Sequence, residues 1–286
     1  MLTEPRQIVL DKSAFIAFKG RQFDALCDLA KRHCLFVSEV LLYECVTSAK
    51  LKNERLLSQC HALLQAGAYY CSRSEDLMRW EGQHLRPFPR RLADVRKTER
   101  LRAGPAREDH AFSDAEIAAK REVGIEFAKA FLLDNIRRLR DINSGGHVEG
   151  LPDPKGLPPD KPARLAVFAA SANLASFRHL AIALVPKNLV KDQKRFCLSA
   201  KWMTWQYLRL IDIVLREYCC RFQTGGSLAN EDAEHDYQDT GYVSLLSRAD
   251  GIITQDKGLT KLARAAFPGK DVFSSLDEVP ESYRCD

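Results

Sequence analysis

The stretch 236–273 constrains the fold more than any other part of the chain, because helical and extended patterns alternate along it. Apolar residues at helical spacing predict a helix that begins near Asp239. The apolar run 251–254 predicts a buried strand, and a helix over 259–266 and a short strand over 271–274 follow it. This order of elements is typical of an α/β protein with a parallel sheet.

Two acids stand at matching places in this stretch. Asp239 opens the predicted helix, and Asp256 follows the predicted strand by a few residues. Because chemistry collects beyond the carboxyl ends of parallel strands, we expect both carboxylates at that edge of the sheet. Taken alone, each acid is better explained as a structural residue, at a helix N-cap or just after a strand, than as a catalytic one. A catalytic role for the two acids is therefore supported only if matching residues occur elsewhere in the chain.

Composition bounds the class of protein. The 286 residues are 45% hydrophobic, enough for one large domain or two smaller ones, and the formal charge of +5 is compatible with a polyanionic partner. Nine cysteines without zinc-finger or CxxC spacing favour a reducing cytosol. The apolar segment 165–185 contains Arg178 and His179, so we interpret it as a helix and not a membrane span. We expect a cytoplasmic protein with no membrane partner.

The first part of the chain repeats the pattern of strands that end in polar residues. An apolar strand over 7–10 ends at Asp11, and a second strand is predicted over 34–37. A helix over 39–49 carries Glu44. No nucleophile elbow of the GxSxG type and no phosphate-binding loop occurs in the sequence.

Four motifs, taken in chain order, resemble the PIN-domain family. They are Ile8–Phe15, Leu35–Glu44, Asp239–Tyr242 and Ile252–Asp256. The resemblance implies an α/β fold with a PIN-like parallel sheet flanked by helices. It also implies a metal-dependent nuclease, in most such proteins a ribonuclease, with acids at the carboxyl edge of the sheet. Each motif is short, so their order along the α/β pattern carries the resemblance.

The resemblance also assigns roles to residues of this chain. It implies a set of acids that are both catalytic groups and metal ligands: Asp11, Glu44, Asp239 and Asp256. The resemblance also implies that Ser13, Thr254 and Asp236 lie just outside the metal ligands, where they orient water or carboxylates. The alternative interpretation of Asp236 is an acid in a solvated loop. Mg²⁺ or Mn²⁺ is the expected cofactor, since both prefer oxygen ligands. Two ions about 3.5–4 Å apart can activate water and stabilise the leaving oxygen in phosphodiester hydrolysis.

The chain departs from compact members of that family by a long insertion. We predict that residues 1–75 and 228–286 form the two parts of the PIN-like core and that residues 76–227 form a large helical insertion. Helical patterns inside the insertion run over about 113–142, 163–185, 188–199 and 201–222.

Two basic segments of the insertion are candidates for nucleic-acid binding. They are 86–102 and 187–201, and the second is followed by Trp202 and Trp205. Basic side chains beside aromatic rings suit single-stranded nucleic acid. We expect contacts from Lys191, Lys194 and Arg195. The alternative interpretation is a solvated basic face beside aromatic residues of the core.

The sequence thus predicts a metal-dependent endonuclease of the PIN type that hydrolyses RNA. Two alternatives stay open: a catalytically silent PIN-like scaffold that binds RNA or protein, and a structure-specific DNA nuclease that uses the same chemistry. A homodimer, or a protein inhibitor or partner, is also compatible with the sequence.

Overall fold

A computed structural model describes most of the predicted core and part of the predicted insertion. The described residues are 6–47, 53–103, 156–172, 198–223, 230–284 and several positions between 119 and 134.

The centre of the molecule is one five-stranded sheet. Its strands are β1 Gln7–Leu10, β2 Cys34–Ser38, β3 Tyr69–Cys71, β4 Gly251–Ile253 and β5 Asp271–Phe273. Their order in space is β3-β2-β1-β4-β5, and every neighbouring pair is parallel. The predicted α/β class with a parallel sheet is confirmed, and the arrangement is compatible with a PIN-like fold.

The central strand explains why short apolar runs were good predictors. Residues 8–10 of β1 are completely buried, as expected when helices cover both faces of a parallel sheet. Leu10 is in register with Val37 of β2 and with Ile253 of β4. The chain therefore leaves these three strands at the same edge of the sheet, with Asp11 and Thr254 as the residues that follow β1 and β4.

Ten α-helices whose bounds are described surround the sheet. They are α1 Lys12–Ala17, α2 Arg21–Arg32, α3 Glu39–Thr47, α4 Asn53–Ala66, α5 Ser74–His84, α6 Val95–Ala103, α7 Lys161–Ser171, α8 Met203–Gln223, α9 Asn230–Leu245 and α10 Lys257–Ala266. No helix within the described ranges is long and apolar enough to cross a membrane.

Helices of the predicted insertion pack directly onto the core. α7 contacts α8 and α10, and α8 contacts α5 and α9. Leu77, Phe168 and Tyr207, all from the predicted insertion, belong to the same hydrophobic cluster as the sheet. The division into two core segments and an insertion stays a prediction. The described parts of 76–227 nevertheless share the hydrophobic core of the sheet.

Two predicted helices have different bounds in the structure. α9 begins at Asn230, so Asp239 lies inside the helix and not at its start. α7 ends at Ser171, because Ala172 is the C-cap residue, whereas the sequence pattern predicted a helix to 185. The start of the predicted helix over 113–142, and the segment 173–197 with most of one further predicted helix, lie outside the described residues.

Candidate metal and active site

Asp11 is the acid at the centre of the sheet edge. It is the N-cap residue of α1, and its Oδ2 accepts hydrogen bonds from the Ser13 amide at 3.1 Å, from the Ser13 hydroxyl, and from the Thr254 hydroxyl at 2.8 Å. The Asp11 amide donates to the Ile253 carbonyl at 3.0 Å, which continues the β1–β4 ladder. Burial raises the pKa of Asp11, and the donated hydrogen bonds only partly oppose this effect.

Ser13 and Thr254 connect Asp11 to the loop after β4. The Ser13 hydroxyl accepts from the Gln255 amide at 2.8 Å, and the Thr254 hydroxyl accepts from the Asp256 amide at 3.0 Å. These bonds fix the direction of the loop that carries Asp256. Both hydroxyl residues therefore lie where the sequence analysis placed residues that orient a carboxylate.

Asp256 is exposed and caps α10. Its Oδ1 accepts from the Leu259 amide at 2.8 Å, a side-chain cap of the usual kind. Gly258 lies between Asp256 and Asp239: a methyl group added there would lie 3.0 Å from Asp256 Oδ1 and 3.7 Å from Asp239 Oδ2. The absence of a side chain at Gly258 leaves space beside both carboxylates.

Asp239 is the acid that the other acids of the cluster repel. It sits in the middle of α9 and not at the N-cap position predicted from sequence. Burial raises its pKa well above the usual range, and repulsion from Asp256 and Asp11 raises it further. Asp236 and Glu44 add in the same direction. Within the described part of the chain, no hydrogen-bond donor approaches the carboxylate of Asp239.

Glu44 reaches the cluster from α3 but has protein partners of its own. The Tyr242 hydroxyl donates to Glu44 Oε2 at 2.6 Å, and Lys12 Nζ lies 3.5 Å from Oε1. The side chain is only 14% exposed. Burial raises the pKa of Glu44 to about 7; the charge of Lys12 opposes this shift, and the charge of Asp11 adds to it.

Asp236 lies one helical turn before Asp239 on α9. It is half-buried, and its Oδ2 accepts a hydrogen bond from the Tyr218 hydroxyl of α8. The alternative interpretation as a solvated loop acid is wrong, because α9 already includes this residue. Asp236 and Asp239 both line a small recess between α7, α8, α9 and α10.

A divalent cation such as Mg²⁺ requires oxygen ligands that converge on one point. Among the residues that the structure describes, no group of three or more His, Cys, Asp or Glu side chains is arranged to hold a metal ion. The reason is local: Glu44 turns to Tyr242, Asp11 to two hydroxyls, and Asp256 to a helix N-terminus.

A magnesium ion does not need a closed cage. Mg²⁺ keeps several waters and usually binds one or two carboxylates, so Asp239 together with Asp256 is a sufficient protein contribution. The half-buried carboxylate of Asp239 lies among other acids and accepts no hydrogen bond from a described residue, which is electrostatically costly, and a cation would lower that cost. The chemistry of the donors fits a hard divalent cation, although the described side chains do not form a complete ligand shell.

The structure describes only some of the residues that were predicted to lie at the nucleic-acid contact. Lys191, Lys194 and Arg195 lie outside the described residues. Trp202 is only 4% exposed, so it is a core residue and not a surface on which a base can stack. Trp205 is equally buried, as the alternative interpretation held.

Part of the first basic segment has structural partners. Arg90 pairs with Asp250 at 3.0 Å, beside the amino end of β1, where Asp250 also accepts the Gln7 amide. Arg102 donates to carbonyls just before β3, Gly67 at 3.0 Å among them. Both arginines therefore stabilise the fold at the edge opposite the acids.

The site also contains residues that sequence analysis did not single out. Tyr242 was assigned to the apolar stripe of its helix, yet its hydroxyl holds Glu44. Its place three residues after Asp239 puts it on the same helix face, which was the available signal. Tyr218 and Gly258 gave no comparable local signal.

Comparison with known proteins adds no family to these observations. No protein-family model matches the chain, and no curated protein or solved structure matches it either. The inference about function therefore depends on the geometry of the sheet edge and on the motif order.

Proposed function

We propose that this chain is a metal-dependent endonuclease of the PIN type that hydrolyses RNA phosphodiester bonds. The observation that supports the proposal most is the half-buried carboxylate of Asp239, to which no described residue donates a hydrogen bond and which faces the repulsion of four neighbouring acids. A protein that only needed stability would gain from replacing such a group, so its presence suggests a cation. The order of the four motifs resembles that of PIN domains, and this resemblance suggests phosphodiester hydrolysis as the reaction.

In this proposal the acids divide into two tasks. Asp239 and Asp256 flank the space beside Gly258 and would hold Mg²⁺ or Mn²⁺ directly. Asp11, fixed by Ser13 and Thr254, would hold metal-bound water or a second ion in place. When bound, the metal would supply an activated water and neutralise charge on the scissile phosphate.

Glu44 and Asp236 support the cluster from its two sides. Glu44 can accept a proton near neutral pH, because burial raises its pKa to about 7. Asp236, held by Tyr218, would orient the water shell of the ion. A cytoplasmic location and an RNA partner are part of the same proposal.

The scaffold alternative also has an observation in its favour. Glu44 is satisfied by Tyr242 and Lys12 without any cation, so one of the four acids has a structural role in any case. A silent scaffold would bind nucleic acid or protein without cleavage. A DNA nuclease would use the same acids, and only the substrate distinguishes it.

Cleavage assays on matched substrates test the proposal. Labelled single-stranded RNA and DNA of one sequence are incubated with Mg²⁺, Mn²⁺ or a chelator. We expect RNA cleavage that the chelator abolishes and that Asp11→Asn or Asp256→Asn lowers by more than the roughly 10–100-fold typical of outer ligands. Both variants should stay folded, because Asn also caps helices well.

Asp277→Asn is the matched control, since Asp277 is an exposed acid remote from β1 and β4 in sequence. It should cleave like the wild type. Undiminished cleavage by both Asp11→Asn and Asp256→Asn, in nuclease-free preparations, would refute the site. Binding without cleavage would favour the scaffold, and cleavage of DNA alone would favour the third candidate.

A further inference from the structure

The loop between α5 and α6 concentrates the positive charge of the protein. Residues 82–93 contain Arg86, Arg90 and Arg91, all of them exposed, and no acid. Over the longer stretch 79–102, eight arginines and lysines stand against three acids. This difference equals the formal charge of +5 of the whole chain, so the remaining residues carry equal numbers of positive and negative side chains. A local surplus of this kind raises the local concentration of a polyanion.

The loop is held against the sheet by Gln7, the first residue of β1. Gln7 Nε2 donates to the Arg90 carbonyl at 3.0 Å, and Gln7 Oε1 accepts from the Leu92 amide at 2.9 Å. The Phe88 amide donates to the buried carboxylate of Glu81 at 2.7 Å, and two prolines fix φ at their own positions in the loop. The arginines therefore lie on a preformed backbone, which lowers the entropy lost on binding.

An aromatic surface adjoins the arginines at the end of α5. The rings of Trp80 and His84 are stacked, with centroids 4.0 Å apart and an angle of 18° between their planes. His84 Nδ1 donates to the Trp80 carbonyl at 2.8 Å, which fixes the imidazole ring. His84 is exposed, Phe88 packs edge-on against Trp80 at 5.2 Å, and Arg86 Cζ lies 5.2 Å from the centre of the Trp80 ring. A flat, fixed ring and a guanidinium group are thus offered side by side.

The acids near the loop do not compensate its charge. Asp250 is shared by Arg90 at 3.0 Å and Lys270 at 3.7 Å, so two cations meet one carboxylate. Arg86 and Arg91 each lie beside an aromatic ring, at 5.2 and 6.0 Å from Cζ to its centre, and no acid among the described residues pairs with either. Guanidinium groups of this kind suit phosphate, which they can bind through two parallel hydrogen bonds.

We propose that this basic surface, formed by Trp80, His84, Arg86 and Arg91, binds single-stranded RNA outside the cleavage site. The arginines contact phosphates, and a base stacks on the ring of His84. An acidic protein segment would use the arginines and leave the ring unused, and a duplex would offer no unstacked base. The identity of the polyanion as RNA rests on the proposed function. The basic surface adds that the substrate is a single strand that extends well beyond the scissile bond.

The basic surface and the acids lie at opposite ends of β1. Gln7 at the start of the strand holds the loop, and Asp11 follows its last residue. The 4 residues of β1 span about 13 Å. A strand of about 20 nucleotides spans roughly 70 Å, at about 3.4 Å for each nucleotide. One RNA can therefore occupy both places, and the second contact raises its affinity as a linked site does.

RNA binding without metal tests the basic surface independently of cleavage. The affinity of the full chain for labelled single-stranded RNA of about 20 nucleotides is measured by fluorescence anisotropy, with chelator present and at several salt concentrations. We expect Arg86→Glu combined with Arg91→Glu to weaken binding about tenfold and to lower the slope of log affinity against log salt by about 1.4, or about 0.7 for each lost phosphate contact. Arg32→Glu combined with Arg264→Glu makes the same change of net charge at exposed positions of α2 and α10 and should bind like the wild type. His84→Ala should weaken binding without changing the slope, because it removes a stacking ring and leaves the arginines in place.

The same variants are then assayed for cleavage, so that the two proposals can fail separately. No binding by the wild type, an unchanged affinity and slope in the Arg86 and Arg91 variant, or an equal loss in the control pair overturns the basic surface even if RNA is cleaved. Equally tight binding of a polyglutamate chain of matched length, unaffected by His84→Ala, would make the partner an acidic protein and overturn RNA. A loss confined to the Arg86 and Arg91 variant, with no cleavage under any metal, supports the basic surface and overturns the nuclease. If the charge-reversed variant does not fold, Arg86→Gln combined with Arg91→Gln serves the same comparison.

Discussion

At the scale of single residues, Glu44 makes a testable link between burial and pH. Its pKa in the folded protein is about 7, above the value of 4.5 for an unperturbed side chain. Between these two pH values the folded state holds a proton that the unfolded state lacks, so stability falls as pH rises. This loss is complete above the folded pKa and absent below the unfolded one.

We therefore predict that Glu44→Gln stabilises the metal-free protein more at pH 8 than at pH 5. The difference in free energy of unfolding should grow with pH toward a limit of about 3 kcal/mol, a value that already includes the opposing charge of Lys12. Thermal melts at several pH values, with chelator present, measure it. Glu99→Gln, at an exposed position of α6, is the control. A Glu44→Gln effect that is flat with pH would contradict the burial argument.

The pattern of the sequence placed Asp11 and Asp256 at the carboxyl edge of the sheet, but it put Asp239 at the start of a helix and did not reveal the partners of these acids. Asp11 and Thr254 follow strands directly, and Asp256 comes two residues after Thr254, so their common edge could be predicted from the chain alone. The burial of Trp202 could not, because a tryptophan beside lysines fits a surface or a core equally well. The role of Tyr242 was missed because a helical pattern does not reveal which group its hydroxyl contacts.

At the scale of elements, Glu81 joins two helices that are far apart in sequence. Its side chain is completely buried on α5 and accepts from the Met203 and Thr204 amides, both at 2.8 Å, at the start of α8. It also accepts from the Thr204 hydroxyl at 2.6 Å and the Phe88 amide at 2.7 Å. One carboxylate thus satisfies the donors that a helix N-terminus leaves free.

We predict that Glu81→Gln destabilises the protein by about 3 kcal/mol or more. The new amide group would point a donor at two existing donors and leave them unsatisfied in the interior. Chemical unfolding measures the change. Glu281→Gln, at a side chain that is 74% exposed, should change stability by no more than about 1 kcal/mol. Similar small effects for both variants would mean that α8 is held by its apolar face alone.

The same scale shows why one helix start was predicted wrongly. The polar residues 230–238 have no strong apolar periodicity, so no local signal indicated a helix before Asp239. In the structure Gly241 has a packing reason, because an added methyl group would lie 3.2 Å from a Val40 side-chain carbon. The close contact between α9 and α3 therefore explains why a glycine, which has a low helix propensity, occurs inside α9.

At the scale of the whole molecule, the sheet order brings distant segments to one acidic edge. β1 and β4 are adjacent although more than 240 residues separate Ile8 from its partner Gly251. The all-parallel α/β class could be predicted from apolar runs and helical spacing. The contacts that α7 and α8 make with this edge could not, because nothing local specifies which helix covers it.

The central claim is that the acids at this edge exist to hold a divalent cation, and Asp239→Asn tests it most directly. Without metal, the variant should melt at a higher temperature than the wild type, because a buried and repelled carboxylate is gone. With Mn²⁺, the wild type should gain stability with rising concentration, by linkage, and the variant should gain little.

The decisive measurement is therefore the Mn²⁺-induced shift in Tm of wild type and Asp239→Asn, with Asp277→Asn as an exposed control. The account predicts a clear shift for the wild type and the control and a much smaller one for Asp239→Asn. Equal shifts in all three proteins, or no shift in the wild type, would contradict it.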